Sequence, residues 1–125
     1  MPRLHRLVTA ALLALVASFA LTGCGSSSSS SAGSLPTKVI DVTLTGGVPS
    51  PNGTKIDVAV GQKIQISVTA DAPGEIHVHS SPDEQEFAYQ DGADQVFDLQ
   101  PIPAPGQVTV ESHTLDKVLF VLVAR

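Results

Sequence analysis

The chain has 125 residues, enough for one domain and a targeting segment, with 42% hydrophobic residues, four Phe, one Tyr, no Trp and a formal net charge of −5 at pH 7. A net negative surface repels nucleic acid and anionic lipid head groups, which excludes both as electrostatic partners. Cys24 is the only cysteine, so the folded domain contains no disulfide.

Arg3, His5 and Arg6 form a short basic region, residues 7–20 are apolar or small and broken only by Thr9 and Ser18, and Leu21-Thr22-Gly23-Cys24 follows. This is the three-part plan of a secretory signal, with an apolar run too short for a comfortable membrane span. Leu21 to Cys24 resembles the lipobox of bacterial lipoproteins. The resemblance implies that residues 1–23 are a signal peptide removed before Cys24, and that lipid is attached to the Cys24 thiol and the new amino terminus. Such an anchor holds a protein on the extracytoplasmic face of the cell membrane without spanning it, and leaves no free thiolate for a metal. The remaining chain carries five Lys and Arg against twelve Asp and Glu, about −7 in net charge. Half of those acids fall in residues 83–98, which reads as a solvated surface loop.

Residues 24–36 hold six consecutive serines, Ser26 to Ser31, among other small residues. Nothing there buries apolar area, so the segment reads as a flexible tether with a mean reach of about 15–20 Å. Residues 37–125 form the domain. Ile40, Val42 and Leu44 alternate with polar residues as a first strand, closed by Gly46-Gly47 and a turn from Pro49 to Gly53. Ile56, Val58 and Val60 give a second strand, and Ile64, Ile66 and Val68 a third. Asp71-Ala72-Pro73-Gly74 turns the chain into a fourth, Glu75 to His79. Residues 83–92 read as irregular, anchored by Phe87 and Tyr89. A short strand carries Val96 and Phe97. Pro101, Pro103 and Pro105 then enforce an extended connection over the outside. Val108 and Val110 begin the next strand. The last, residues 118–123, is apolar throughout and reads as an interior strand covered on both faces. About seven short strands with regular turns predict an antiparallel Greek-key β-sandwich.

The fourth strand carries the chemistry. Glu75, His77 and His79 recur with period two and point one way, while Ile76 and Val78 point the other, into a core. Histidines at i and i+2 have Cα atoms about 6.5–7 Å apart, close enough for both to reach one ion. The order of elements, with an H-V-H strand and a Pro105-Gly106 segment leading through Val108, Val110 and Glu111 to His113, resembles the cupredoxin fold. It is similar in particular to cupredoxin-like domains of actinobacterial lipoproteins. The resemblance implies that His77 matches the first copper-ligating histidine, and that His113 corresponds loosely to the second, in a loop between the last two strands. It also implies that the two strands lie close together, with Glu75, His77, His79, Glu111 and His113 converging at one end of the barrel. The family's cysteine and methionine ligands have no counterpart here, which excludes a blue-copper electron carrier.

Two functional classes follow. One is a metal-binding domain using His77, His79, His113, Glu75 and Glu111 for copper or zinc, both of which accept nitrogen and oxygen ligands. The other is a metal-free interaction or accessory module that meets an envelope protein, its histidines and acids forming cross-strand pairs or a pH-responsive patch. An enzyme is not expected. The chain has no G-x-S-x-G elbow, H-E-x-x-H helix or phosphate-binding glycine loop. Ser112 and His113 are adjacent on a strand and so face opposite ways.

Overall fold

Alternation of β-branched or aliphatic residues with polar ones is the dominant pattern in residues 34–125, the part described by the computed structural model. The signal segment, Cys24 and the serine run lie outside the described residues. The strands are β1 (Lys38–Thr45), β2 (Val48–Ser50), β3 (Thr54–Val58), β4 (Ile64–Ala70), β5 (Gly74–Val78), β6 (Gln85–Tyr89), β7 (Gly92–Leu99), β8 (Gly106–Ser112) and β9 (Lys117–Ala124). No helix occurs among the described residues.

The strands form two sheets, ordered β2-β1-β4-β7 and β3-β9-β8-β5-β6. One face of each is apolar. Ile40, Val42 and Leu44 of β1 and Ile64, Ile66 and Val68 of β4 line the first, while Ile76, Val78, Val108, Val110, Leu119, Phe120 and Leu122 line the second. Each such side chain contributes about 1.5–3 kcal/mol on burial, and this layer is what holds the sheets together.

The expected β-sandwich is present, with differences in detail. There are nine strands rather than about seven, and both sheets are mixed rather than wholly antiparallel. β1 pairs with β4 in parallel, and β3 with β9 in parallel. The physical reason is that β3 leaves the first sheet for the second, and the chain returns as β4 running in the direction of β1. Two strands occupy stretches read as turn or loop. β2 carries Pro49 on a sheet edge, where its missing N–H breaks no interior ladder. β6 alternates Gln85, Phe87 and Tyr89 inward with Glu86 and Ala88 outward. Its inward Gln85 is polar, which hides the period, and its side chain is satisfied by donating to Ser80 Oγ (2.9 Å) and accepting from Gln100 N (2.8 Å).

β9 is interior in strand order, between β3 and β8, but it is covered on one face only: Val118 is exposed and Val121 and Val123 are half-buried. Its apolar run has another cause. The register with β8 shifts between Val110 and Glu111, from Val110 opposite Phe120 to Glu111 opposite Val118. Leu119 is the extra residue of this bulge, so consecutive Leu119 and Phe120 are both buried.

Gly74 starts β5 where Tyr89 of β6 and the turn after β8 close in. A Cβ there would sit 2.7 Å from Thr114 Oγ1 and nearer still to the Tyr89 ring, whereas one on Gly106 meets nothing within 4 Å. Gly74→Ala is therefore expected to lose about 1–3 kcal/mol of stability, and Gly106→Ala very little. Chemical denaturation of the two variants beside the parent chain checks this.

Candidate metal centre

Because Ile76 and Val78 point into the core, His77 between them points out of the sandwich. It sits opposite Glu86 of β6 on one side and Glu111 of β8 on the other. His79 continues the strand for one more ladder bond, its N–H donating to Thr109 O (2.9 Å). His113 follows β8 in a turn held by Leu115 N donating to the buried Ser112 Oγ (3.2 Å), with Asp116 in the left-handed region at φ 51°. The histidines and acids thus gather on the outer face of the five-stranded sheet. This differs from the expected place at one end of the barrel, and the alternation along β5 is the reason.

The ring nitrogens converge. His77 Nδ1 lies 2.9 Å from His113 Nε2, His79 Nε2 lies 2.7 Å from Glu111 Oε1, and His113 Nε2 lies 3.2 Å from the same Glu111 oxygen. One ligating atom from each of His77, His79, Glu111 and His113 falls within 4.8 Å of all the others. Bonds of about 2.0–2.1 Å to a common ion put neighbouring ligand atoms about 2.8–3.4 Å apart. The close pairs already have that spacing, and a pair at the 4.8 Å limit needs to close by about 1.4 Å, within reach of side-chain rotation. The rings pack as a group, with His77 and His79 centroids 4.3 Å apart and His113 edge-on to His77 at 4.6 Å. His77 is buried at 7% exposure, while His79 and His113 remain open to solvent.

Of the sequence-derived candidates, the structure brings together His77, His79, His113 and Glu111. Glu75 stands apart, with its carboxylate 3.7 Å from the far nitrogen of His113. Cys24 lies outside the described residues. Glu84 is a member the sequence reading passed over as part of a solvated loop. Its Oε2 is 3.1 Å from His77 Nε2 and its Oε1 is 3.3 Å from His79 Nδ1. The available signal was the pair Glu84 and Glu86, which has the same i, i+2 spacing as His77 and His79 and faces it across a hairpin.

The charges answer one another. The hydrogen bond to Glu111 raises the His79 pKa above its ordinary 6.5, with Glu84 adding to the rise and partial burial opposing it. The same contacts with His79 hold the Glu111 and Glu84 carboxyls below 4.5.

No protein-family model matches the chain, and no curated protein matches it. Solved structures do. The chain is similar to the Na-dithionite reduced auracyanin of Roseiflexus castenholzii, at TM-score 0.55 and 11% identity over 70% of this chain and 97% of that one. It is similar to auracyanin B at TM-score 0.51 and 7% identity, over 70% and 88% of the two chains. A variant of amicyanin, described with Cu(I), follows at TM-score 0.50 and 13% identity, over 70% and 82%. The fold is cupredoxin-like.

A thiolate-based copper centre does not fit this cupredoxin-like domain, since residues 34–125 contain neither cysteine nor methionine. Three imidazoles and a carboxylate are instead the donor chemistry of a four-coordinate Cu(II) or Zn(II) site.

The titration signs define a pH window for the metal-free protein. Stabilisation through His79, whose pKa is raised, is fully present below 6.5 and is lost as pH rises through the raised value. Stabilisation through Glu84 and Glu111, whose pKa values are lowered, is present above 4.5 and is lost as pH falls through the lowered values. With chelator present, the melting temperature of the parent chain should exceed that of His79→Asn most between pH 4.5 and 6.5. The gap should narrow on either side, and thermal melts across pH measure it.

Proposed function

We propose that this chain is a membrane-tethered lipoprotein of the bacterial cell envelope, of the kind found in actinobacteria, whose cupredoxin-like domain binds one divalent copper or zinc ion. In this reading His77, His79, His113 and Glu111 are the ligands, and Cys24 carries the lipid that fixes the domain to the extracytoplasmic face of the membrane. The observation that carries the metal assignment is the convergence of three ring nitrogens and one carboxylate oxygen within 4.8 Å. The signal-like residues 1–23 and the Leu21 to Cys24 pattern support the address. The absence of sulfur donors from residues 34–125 favours a carrier or buffer of a divalent ion over an electron carrier, and no catalytic role is assigned. The natural partner is another envelope protein that delivers or accepts the ion.

One observation favours a second reading. Both ring nitrogens of His77 and of His79, and Nε2 of His113, already have hydrogen-bond partners within the cluster, so these groups are satisfied without an ion. On that reading the domain is a metal-free interaction module.

Titration of the full chain in detergent with Cu(II) and with Zn(II) separates the two. The metal reading expects one-to-one submicromolar binding of at least one of these ions, and a stabilisation of about 2.7 kcal/mol at a hundredfold excess over Kd. The paired change His77→Asn, His79→Asn should abolish both effects and leave the metal-free fold intact. Weak binding that this variant leaves unchanged would retire the metal site in favour of the interaction module.

A further inference from the structure

An imidazole that binds an ion presents one nitrogen as a lone pair and keeps its proton on the other, so something must hold that second nitrogen. In this cluster the outward nitrogens of two rings meet the same carboxylate. His77 Nε2 is 3.1 Å from Glu84 Oε2, and His79 Nδ1 is 3.3 Å from Glu84 Oε1. A carboxylate accepts and does not donate, so both outward nitrogens carry protons. His77 Nδ1 is then left as a lone pair facing His113 Nε2, whereas His79 Nε2 also faces a carboxylate, that of Glu111, and carries a proton that an arriving ion must displace, Glu84 keeping the one on Nδ1.

We propose that Glu84 is a positioning residue of the metal centre: a single carboxylate that fixes the orientation and tautomer of both His77 and His79, so that His77 ligates through Nδ1 and His79 through Nε2. The proposal rests on the metal reading above and deepens it.

The local structure supports this role. Glu84 ends the hairpin loop between β5 and β6, which is closed by Ser80 Oγ donating to Asp83 O (2.6 Å). The next residue, Gln85, is buried and tied at both ends of its amide to Ser80 and Gln100. The backbone on either side of Glu84 is therefore fixed, although its side chain is exposed. Neither neighbouring acid duplicates it. Glu86 reaches only to 4.0 Å of His77 Nε2, and Glu75 to 3.7 Å of the far nitrogen of His113. A glutamine at position 84 cannot do the same work, because its amide accepts at one end and donates at the other. It would receive a proton from one ring and force the other to carry its proton on the inward nitrogen.

The test uses the full chain in detergent with ¹⁵N-labelled histidine and Zn(II) as the probe. Long-range ¹H–¹⁵N correlation spectra distinguish a ring ligated at Nδ1 from one ligated at Nε2. The expected result is His77 ligated through Nδ1 and His79 through Nε2. Glu84→Gln should weaken Zn(II) binding about 10–100-fold, while Glu86→Gln, which removes the same charge two residues on, changes it only slightly. Ligation of His77 through Nε2, or equal losses in the two variants, would overturn the proposal. If the parent chain takes up no Zn(II), Glu84 is judged on the metal-free spectra, and the metal reading itself fails only if Cu(II) is not bound either. A His77 ring protonated at Nε2, with a signature altered by Glu84→Gln and not by Glu86→Gln, supports the positioning role. A His77 ring protonated at Nδ1, or one indifferent to Glu84→Gln, overturns it.

Discussion

The register of β5 against its two neighbours is the constraint on which the outer face of the five-stranded sheet depends. With Ile76 opposite Phe87 and Ser112, and Val78 opposite Gln85 and Val110, His77 falls between Glu86 and Glu111. A slip of one residue would send His77 into the core and bring Ile76 and Val78 out. Burying an imidazole among Val110, Phe120 and Leu122 without a hydrogen-bond partner costs several kcal/mol, and exposing two aliphatic side chains costs a similar amount. The apolar layer therefore decides where the histidines stand, although it touches none of their ring nitrogens.

The reverse dependence is weak. Exposed ion pairs are each worth about 0–1 kcal/mol, and Glu84, His79 and His113 are exposed to solvent and Glu111 is half-buried. A cluster of three imidazoles ringed by four carboxylates adds little to the stability of a sandwich already held by nineteen buried hydrophobic residues. Its composition is thus free of the demands of folding. A polar face needed only for solubility would be met by scattered Lys, Glu and Thr, as on the outer face of β1, where Asp41, Thr43 and Thr45 alternate with the core residues. The concentration of three of the four histidines of the chain on one face calls for a chemical reason.

Much of the sandwich was legible because its code is binary. Ile40, Val42 and Leu44, and likewise Ile64, Ile66 and Val68, announce both a strand and its buried face. What failed to read were places where a tertiary contact replaces that code. Gln85 points inward yet is polar, because two hydrogen bonds satisfy it, and β6 vanished from view with it. Leu119 and Phe120 are both inward because of a bulge that no single strand reveals. The parallel pairs of β1 with β4 and β3 with β9 depend on which sheet each strand joins, which periodicity does not encode. At the site, the i, i+2 spacing identified His77 and His79, and the resemblance carried by the segment from Pro105 to His113 identified Glu111 and His113. Glu84 escaped because its place follows from the hairpin register, which a strand hidden by Gln85 could not supply.

A cupredoxin-like fold by itself assigns no chemistry, since one scaffold supports many sites. What distinguishes this domain is the division of labour within its cluster. His77 is buried and pinned between two strands, whereas His79 lies just past the end of β5 and His113 lies in the turn between β8 and β9. In the proposed site an ion would meet two ligands held on strands, His77 and Glu111, and two that sit on short connections at the solvent boundary. Full enclosure slows both entry and release, and a wholly exposed set of ligands is costly to order on binding. A half-buried set, with Glu84 holding the outward nitrogens of two rings, reduces that ordering cost while leaving the ion reachable from outside. That combination fits exchange of an ion with a partner better than permanent retention.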